Sequence, residues 1–264
     1  MRIQYISDLH LEMYKEQVSP DLFTMLIRPE APYLALCGDI GIPDFANYGF
    51  FLNWCSSRWT KVFLVAGNHE YYNWNCPVKT DMEAKKAMIQ KMCDSLSNVY
   101  FLDCKTMWLS DEKIRILGCT LWSDIDQKLI EEASKETNDY RQIYVEGTKP
   151  GLPGLLRELH YKERSWLQQE IHKADLTGEK CLVLTHYLPS YELVHTKYKA
   201  YANTSYFASH CDNLIRPPVV GWICGHSHAG ALLKIHGIPC ALNPVGYPGE
   251  NPTQQSSMSI LEVK

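Results

Sequence analysis

Apolar runs that stop abruptly at polar residues set the pattern of this chain. Arg2–Ile6 alternates and ends at Ser7-Asp8-Leu9-His10. Tyr33-Leu34-Ala35-Leu36-Cys37 ends at Gly38-Asp39. Val62-Phe63-Leu64-Val65 ends at Gly67-Asn68-His69-Glu70. Cys181–Leu184 ends at Thr185-His186, and Val219–Cys224 ends at Gly225-His226-Ser227-His228. Short apolar runs closed by glycine or turn residues read as strands buried on both faces. In α/β proteins the ends of such strands are where chemistry collects.

Helical periods fill the gaps. Ala46–Trp59 carries Phe50, Phe51 and Trp54 and predicts a helix packed on a sheet. Thr80-Asp81-Met82-Glu83 is a capping-box pattern that opens a helix to about Leu96, with Met82, Ile89, Met92 and Leu96 near one face. Leu155–Ala174 places Leu156, Leu159, Trp166, Leu167 and Ile171 at helical spacing. Leu11–Pro29 reads as a loop with a short helix. The first third is therefore β-loop-β-α-β-α, which argues for a mostly parallel sheet. In the middle, Val99–Leu102, Thr106–Leu109 and Lys113–Leu117 are separated only by turn residues, predicting a hairpin or meander. Asp126–Lys149 is polar and reads as a helix followed by a surface segment. Gly230–Ile235, Ile238–Leu242 and Ser257–Val263 read as a closing antiparallel set. No Pro/Gly/Ser-rich or charged linker divides the chain, so residues 1–264 are expected to form one α/β domain.

Composition narrows the function classes. With a net charge of −4 the chain lacks a basic footprint for nucleic acid. No apolar run approaches the roughly 20 residues that span a bilayer. Ten cysteines form no C-x-x-C pair, and several sit inside apolar runs, which fits reduced intracellular thiols. Met1–Ile6 already reads as a strand with no signal peptide before it. The expectation is a cytoplasmic protein.

Any one polar strand tip reads as a turn; five together do not. Imidazoles, carboxylates and an amide oxygen at one sheet edge form a ligand set for Mn²⁺, Fe or Zn²⁺. Asp8, His10, Asp39, Asn68, His186, His226 and His228 make seven candidate ligands. If one carboxylate bridges, they serve two divalent ions with four bonds each. Such a pair, about 3.5–4 Å apart, clamps a phosphoryl group and lowers the pKa of water. Two dications against two carboxylates leave a positive site, suited to an anionic phosphate ester.

In this order, D-x-H, G-D, G-N-H-E, a later strand-end H, and G-H-x-H resemble the calcineurin-like metallophosphoesterase superfamily. The likeness extends toward a branch of small phosphohydrolases through Leu121–Asp124 (L-W-S-D), Asn138–Arg141 (N-D-Y-R), Thr185–Ser190 and Asn243–Tyr247. The resemblance implies a four-layer αββα sandwich of two mixed β-sheets flanked by helices, with the metal site at the strand C-terminal ends. It implies that Asp8, His10 and His228 hold one metal, that Asn68, His186 and His226 hold the second, and that Asp39 bridges. It also implies in-line attack by a metal-bridging hydroxide on a small or medium phosphomonoester or phosphodiester. His69 is then general acid rather than ligand, with Asp39 and Asn68 completing the catalytic set. An imidazolium supplies the proton that a departing alkoxide needs near neutral pH.

The flanking residues are open to two readings. Tyr71, Asn138, Tyr140 and Tyr187 are candidates to line the substrate, or else core aromatics and a helix cap. Glu70 reads as a loop anchor, Asn243 and Tyr247 as turn supports. Tyr187 stands where relatives often have a second histidine, and Val245 where they often have arginine. Gly38-Asp39-Ile40-Gly41-Ile42-Pro43-Asp44 lacks the arginine that protein serine/threonine phosphatases carry in G-D-x-x-D-R-G. The alternative of a different class is a catalytically silent scaffold of the same fold; such members usually lose the G-N-H histidine or the metal ligands, all present here.

Overall fold

The computed structural model describes residues 1–14, 18–146, 149–150, 154–251 and 259–263. In chain order the elements are β1 (Arg2–Ile6), α1 (Pro20–Leu26), β2 (Tyr33–Cys37), α2 (Ala46–Ser56), β3 (Lys61–Val65), α3 (Met82–Asp94) and β4 (Val99–Phe101). They continue with β5 (Lys105–Leu109), β6 (Ile114–Gly118), α4 (Ile130–Glu136), α5 (Asp139–Gln142), β7 (Tyr144–Val145), β8 (Lys149–Pro150), α6 (Leu155–Thr177) and β9 (Lys180–Leu184). The chain closes with β10 (Val219–Cys224), β11 (Ala231–Ile235), β12 (Ile238–Leu242) and β13 (Ile260–Glu262).

Two mixed sheets form. One runs β13-β1-β2-β3-β4, with β1 to β4 parallel and β13 antiparallel on the edge. The other runs β11-β12-β10-β9-β6-β5, with a parallel centre and antiparallel edges β11 and β5. Alternation along the strands explains why they read as apolar throughout. Ile3, Tyr5, Ala35, Cys37, Phe63 and Val65 of the first sheet meet Ile116, Leu182, Leu184 and Ile223 of the second. The opposite faces bear the helices: Leu34, Leu36, Val62 and Leu64 pack with Phe51 and Ile89. Cys181, Val183 and Trp222 pack with Leu167 and Ile171. The layers are therefore helix, sheet, sheet, helix.

Four expectations change. The three-strand meander is only a hairpin, β5 with β6; β4 pairs with β3, and the chain crosses between sheets after Phe101. The closing set also divides: β11 and β12 pair antiparallel, while β13 crosses back to β1. Residues 252–258, where that last strand was expected to begin, lie outside the described residues. The cap of α3 is Asp81, whose carboxylate accepts from Ala84 N at 2.9 Å, because the Thr80 backbone is engaged by Asn73. The polar segment Asp126–Lys149 breaks into α4, α5 and β7, and 147–148 lie outside the described residues.

Candidate metal centre

Parallel pairing sets β1, β2 and β3 side by side, with Ile6 beside Leu36 and Leu36 beside Leu64. Asp8, Asp39 and Asn68 follow at the same ends. In the second sheet Ile223 of β10 pairs with Leu184 of β9, which delivers His186 and His226 together. The two sheets meet at these ends. At Gly225 a Cβ would sit 2.7 Å from the Cys37 carbonyl and from Ser7 Cβ, so only glycine lets the sheets close there.

All seven candidate ligands converge. Asp8, His10 and His228 form one group of donor atoms, and Asp39, His186 and His226 form another. Asn68 Oδ1 lies 3.1 Å from His186 Nε2 and joins the second. Asp39 spans both, its Oδ1 3.5 Å from His186 Nε2 and its Oδ2 4.0 Å from His10 Nε2. Asp8, His10, Asp39, His226 and His228 all have positive φ, from 48° to 71°. Left-handed backbone at a non-glycine residue costs about 1–3 kcal/mol and gathers at functional sites.

These residues fit divalent ions. His10 Nε2 and His228 Nε2 are 2.9 Å apart, about the edge of a shell with 2.1 Å bonds. Three of the four candidate histidines have the remaining nitrogen engaged from behind, as metal ligands commonly do: His10 Nδ1 by Glu12 at 3.2 Å, His186 Nδ1 by the Cys37 carbonyl at 2.9 Å, and His228 Nδ1 by Glu250 at 2.8 Å. Glu70 is fully buried and accepts from Gly67 N (2.7 Å), Asp39 N (2.9 Å) and Ile40 N (2.9 Å), tying two strand tips together.

The charges are strongly coupled. Burial favours the neutral acid at Asp39, but His186, His69 and His10 outweigh it and hold the carboxyl well below the usual range. Burial likewise disfavours the His186 imidazolium, yet Asp39 and Asp8 raise it to about 9. Burial and charged His186 drive His226 down. At His69 burial opposes protonation, while Asp39 and Glu12 raise it to about 9.

His69 lies beside the candidate ligands, its ring 4.4 Å from that of His10, and with His10 and Glu12 it makes a further group of donor atoms. Its Nδ1 meets Glu12 Oε1 at 2.7 Å, and its Nε2 is 4.0 Å from Asp39 Oδ2. A cavity of about 480 Å³ opens above Asp39, Asn68, His69, His226 and His228. Asn138 lines it; Tyr71 and Tyr140 do not, which for those two favours the core reading of the two left open. The Tyr71 ring lies 5.8 Å from that of Trp122 in the core, tilted by 32°, and Tyr140 is buried in the same cluster. Their chain neighbours Tyr72 and Asp139 face the cavity instead. Tyr187 lies behind the ligands, its ring 4.1 Å from that of His226 and its hydroxyl donating to Asp139 at 3.2 Å. Asp139 also accepts from Asn68 Nδ2 (2.9 Å) and Tyr72 (2.5 Å); burial raises its carboxyl despite these bonds.

Glu12 went unread in the sequence, although it continues the alternation Asp8-x-His10-x-Glu12 and its side chain is 3% exposed. Tyr247, expected as a turn support, lies over the first ligand group, 4.5 Å from the His10 ring. Among the described residues no helix is long and apolar enough to cross a membrane.

Comparison with known proteins places this geometry. The chain is 28% identical over 263 residues to uncharacterized protein L509 of Acanthamoeba polyphaga mimivirus, covering 95% of this chain and 93% of that protein. Its fold is similar to that of a phosphopantetheinyl hydrolase from Mycobacterium tuberculosis, with a TM-score of 0.76 at 18% identity over 99% of this chain and 95% of that one. It is also similar to a dimetal phosphatase from Danio rerio, with a TM-score of 0.54 at 11% identity over 91% and 86%. The sequence model of the calcineurin-like phosphoesterases matches residues 1–230, so the chain belongs to that family of metal-dependent phosphoesterases.

Proposed function

We propose that the protein hydrolyses a small or medium phosphomonoester or phosphodiester at a binuclear centre, with His69 as general acid. The observation that carries this is that Asp8, His10 and His228 gather as one group of donor atoms and Asp39, His186 and His226 as another, with Asp39 facing both His186 and His10. Asp8, His10 and His228 would hold one ion; Asn68, His186 and His226 the other; Asp39 both. When bound, two divalent ions such as Mn²⁺, Fe or Zn²⁺ neutralise phosphoryl oxygens and supply a hydroxide nucleophile at neutral pH.

The chain's own residues do the rest. His69 presents Nε2 to the cavity because Glu12 holds Nδ1. From there it gives its proton to the leaving oxygen. Glu12 lies outside both ligand sets of this proposal, so its charge still favours the imidazolium when cations offset Asp39. Asp139 and Tyr72 fix the Asn68 amide, so that its oxygen turns toward His186. The cavity admits a small organic ester, and Asn138 forms part of its wall.

Metal analysis after Mn²⁺ loading, paired with a panel of phosphomonoesters, phosphodiesters, nucleotides and phosphoproteins, tests the proposal. Two ions per chain and turnover of at least one ester class are expected. A chain that retains no ion refutes it. Two bound ions with no turnover across the panel favours the silent scaffold.

A further inference from the structure

The cavity above the ligands runs past them in two directions. At one end Tyr247 lies beside the first group, its ring 4.8 Å from that of His228 and 6.3 Å from that of His69. At the other end Phe207 packs 5.3 Å from the His226 ring, with Tyr198 beyond it on the same wall. Tyr198, Phe207 and Tyr247 are 42%, 39% and 42% exposed, so each shows solvent an aromatic face that a ligand can cover. His69 stands at the Tyr247 end, where a leaving group belongs. The Phe207 end offers aromatic surface and, 6.2 Å from the Tyr198 ring, the imidazole of His195.

Charge selects further. Among the described residues no lysine or arginine lines this cavity, whereas Glu136, Asp139 and Glu250 do. A monoester dianion carries three non-bridging oxygens. Two of them can be matched by two cations; for the third the cavity wall offers Asn138, Asn203 and His195 but no guanidinium such as the arginine missing after Gly38-Asp39. Asn68 adds no donor, since its Nδ2 already donates to Asp139 and Tyr72. In a diester that third oxygen is uncharged and carries a second organic arm. Polyphosphates would bring additional negative charge against the three carboxylates.

On the phosphoesterase reading above, we infer that the substrate is a phosphodiester monoanion with two uncharged arms. The leaving arm lies between His69 and Tyr247, and the retained arm lies on Phe207. Water adds to phosphorus and releases one proton to solvent, the bond to the leaving oxygen breaks, that oxygen takes the proton of His69, and His69 regains a proton from solvent. The products are an alcohol and a phosphomonoester.

Three esters that release the same p-nitrophenol test this on the Mn²⁺-loaded full chain: bis(p-nitrophenyl) phosphate, methyl p-nitrophenyl phosphate and p-nitrophenyl phosphate. The aryl diester is expected to exceed the monoester in kcat/KM by about tenfold or more. Phe207→Ala, at an exposed position, is expected to lower the bis-aryl value roughly five- to tenfold, the size of one aromatic contact, and the methyl value by at least threefold less. Calorimetry with diphenylphosphinate, a two-armed monoanion that cannot be hydrolysed, is expected to show the same Phe207-dependent loss of affinity. Preference for the monoester, or equal Phe207→Ala effects on both diesters, overturns the diester assignment and leaves the phosphoesterase reading standing. Failure to hydrolyse any ester of the wider panel overturns both.

Discussion

His69→Gln separates proton donation from metal binding more cleanly than any other substitution here. The backbone N–H of His69 donates to Asp39 Oδ1 at 2.8 Å, and this bond survives any side-chain change. The imidazole contacts Glu12 through Nδ1 at 2.7 Å, and its Nε2, like that of His10, lies 4.0 Å from Asp39 Oδ2. A glutamine amide can still donate to Glu12, so no buried carboxylate is orphaned. Metal content should therefore match that of the wild type. Loss of a general acid lowers turnover about 10²–10⁴-fold, or about 3–5 kcal/mol in the barrier. That loss depends on the leaving group, because a good leaving group departs without a proton. The assay is kcat for aryl esters graded from p-nitrophenyl to phenyl, with bound metal counted on the same samples. The deficit should be under about tenfold for p-nitrophenyl and grow steadily toward phenyl, whose phenol is as basic as the tyrosine hydroxyl at about 10. The alkaline limb of the pH–rate profile, set by deprotonation of the acid, should disappear in the variant. A uniform deficit along the series, or depleted metal, refutes the reasoning.

The other predictions concern the support. In Gly67→Ala the new Cβ would collide with Asp39 Oδ1 and come within 2.7 Å of His186 Cε1. Metal affinity should fall about tenfold or more while circular dichroism stays native; full metal retention by equilibrium dialysis would count against this packing. Lys85, fully buried in its side chain, is paired with Asp44, and its other polar contact is Cys76 Sγ at 3.6 Å. Asp44→Ala strands that ammonium and should cost about 3–5 kcal/mol, lowering Tm by about 6–12 °C by calorimetry. Glu163, on α6, is raised to about 8 by burial and then by Asp103. Between about 4.5 and 8 the unfolded chain releases a proton that the folded chain keeps, so stability falls as pH rises through that window, by up to about 1.4 kcal/mol per unit. Glu163→Gln still accepts from Leu121 N and should gain Tm over the wild type as pH rises from 5 to 8; parallel profiles would show that Glu163 ionises normally in the fold.

The strand tips were legible because strands buried on both faces stay apolar until the chain exits the sheet; Gln4 of β1 is the exception, its amide bonded to the Arg28 carbonyl and the Glu30 N–H. Asp8, Asp39, Asn68, His186 and His226 mark those exits. Register and side-chain direction beyond the exits were not legible. After Asn68 the chain makes a 3-10 turn, His69–Tyr71, which sends Tyr71 to Trp122 and Tyr72 to the cavity. No two-residue or helical period spans such a turn. Asp139 and Tyr140 diverge in the same way inside a four-residue helix. The move of the chain to the second sheet after Phe101 was hidden because short apolar strands have the same composition in either sheet.

Glu12 shows what such gaps conceal. It is 57 residues from His69, and only the parallel stacking of β1, β2 and β3 brings the two together. The same carboxylate meets His10 Nδ1, so one side chain orients both a proposed ligand, His10, and the proposed acid, His69. A displacement of the β1 tip against the β3 tip would disturb both contacts at once. Glu70 opposes part of that displacement, bonding the β2 and β3 tips through three buried N–H groups. The β1 tip is tied to β2 by Asp8 N to Gly38 O at 3.0 Å and His10 N to Asp39 O at 3.0 Å. Acid and ligands thus share one hydrogen-bonded frame, and damage to that frame should lower metal affinity and proton donation together, whereas His69→Gln lowers only the second.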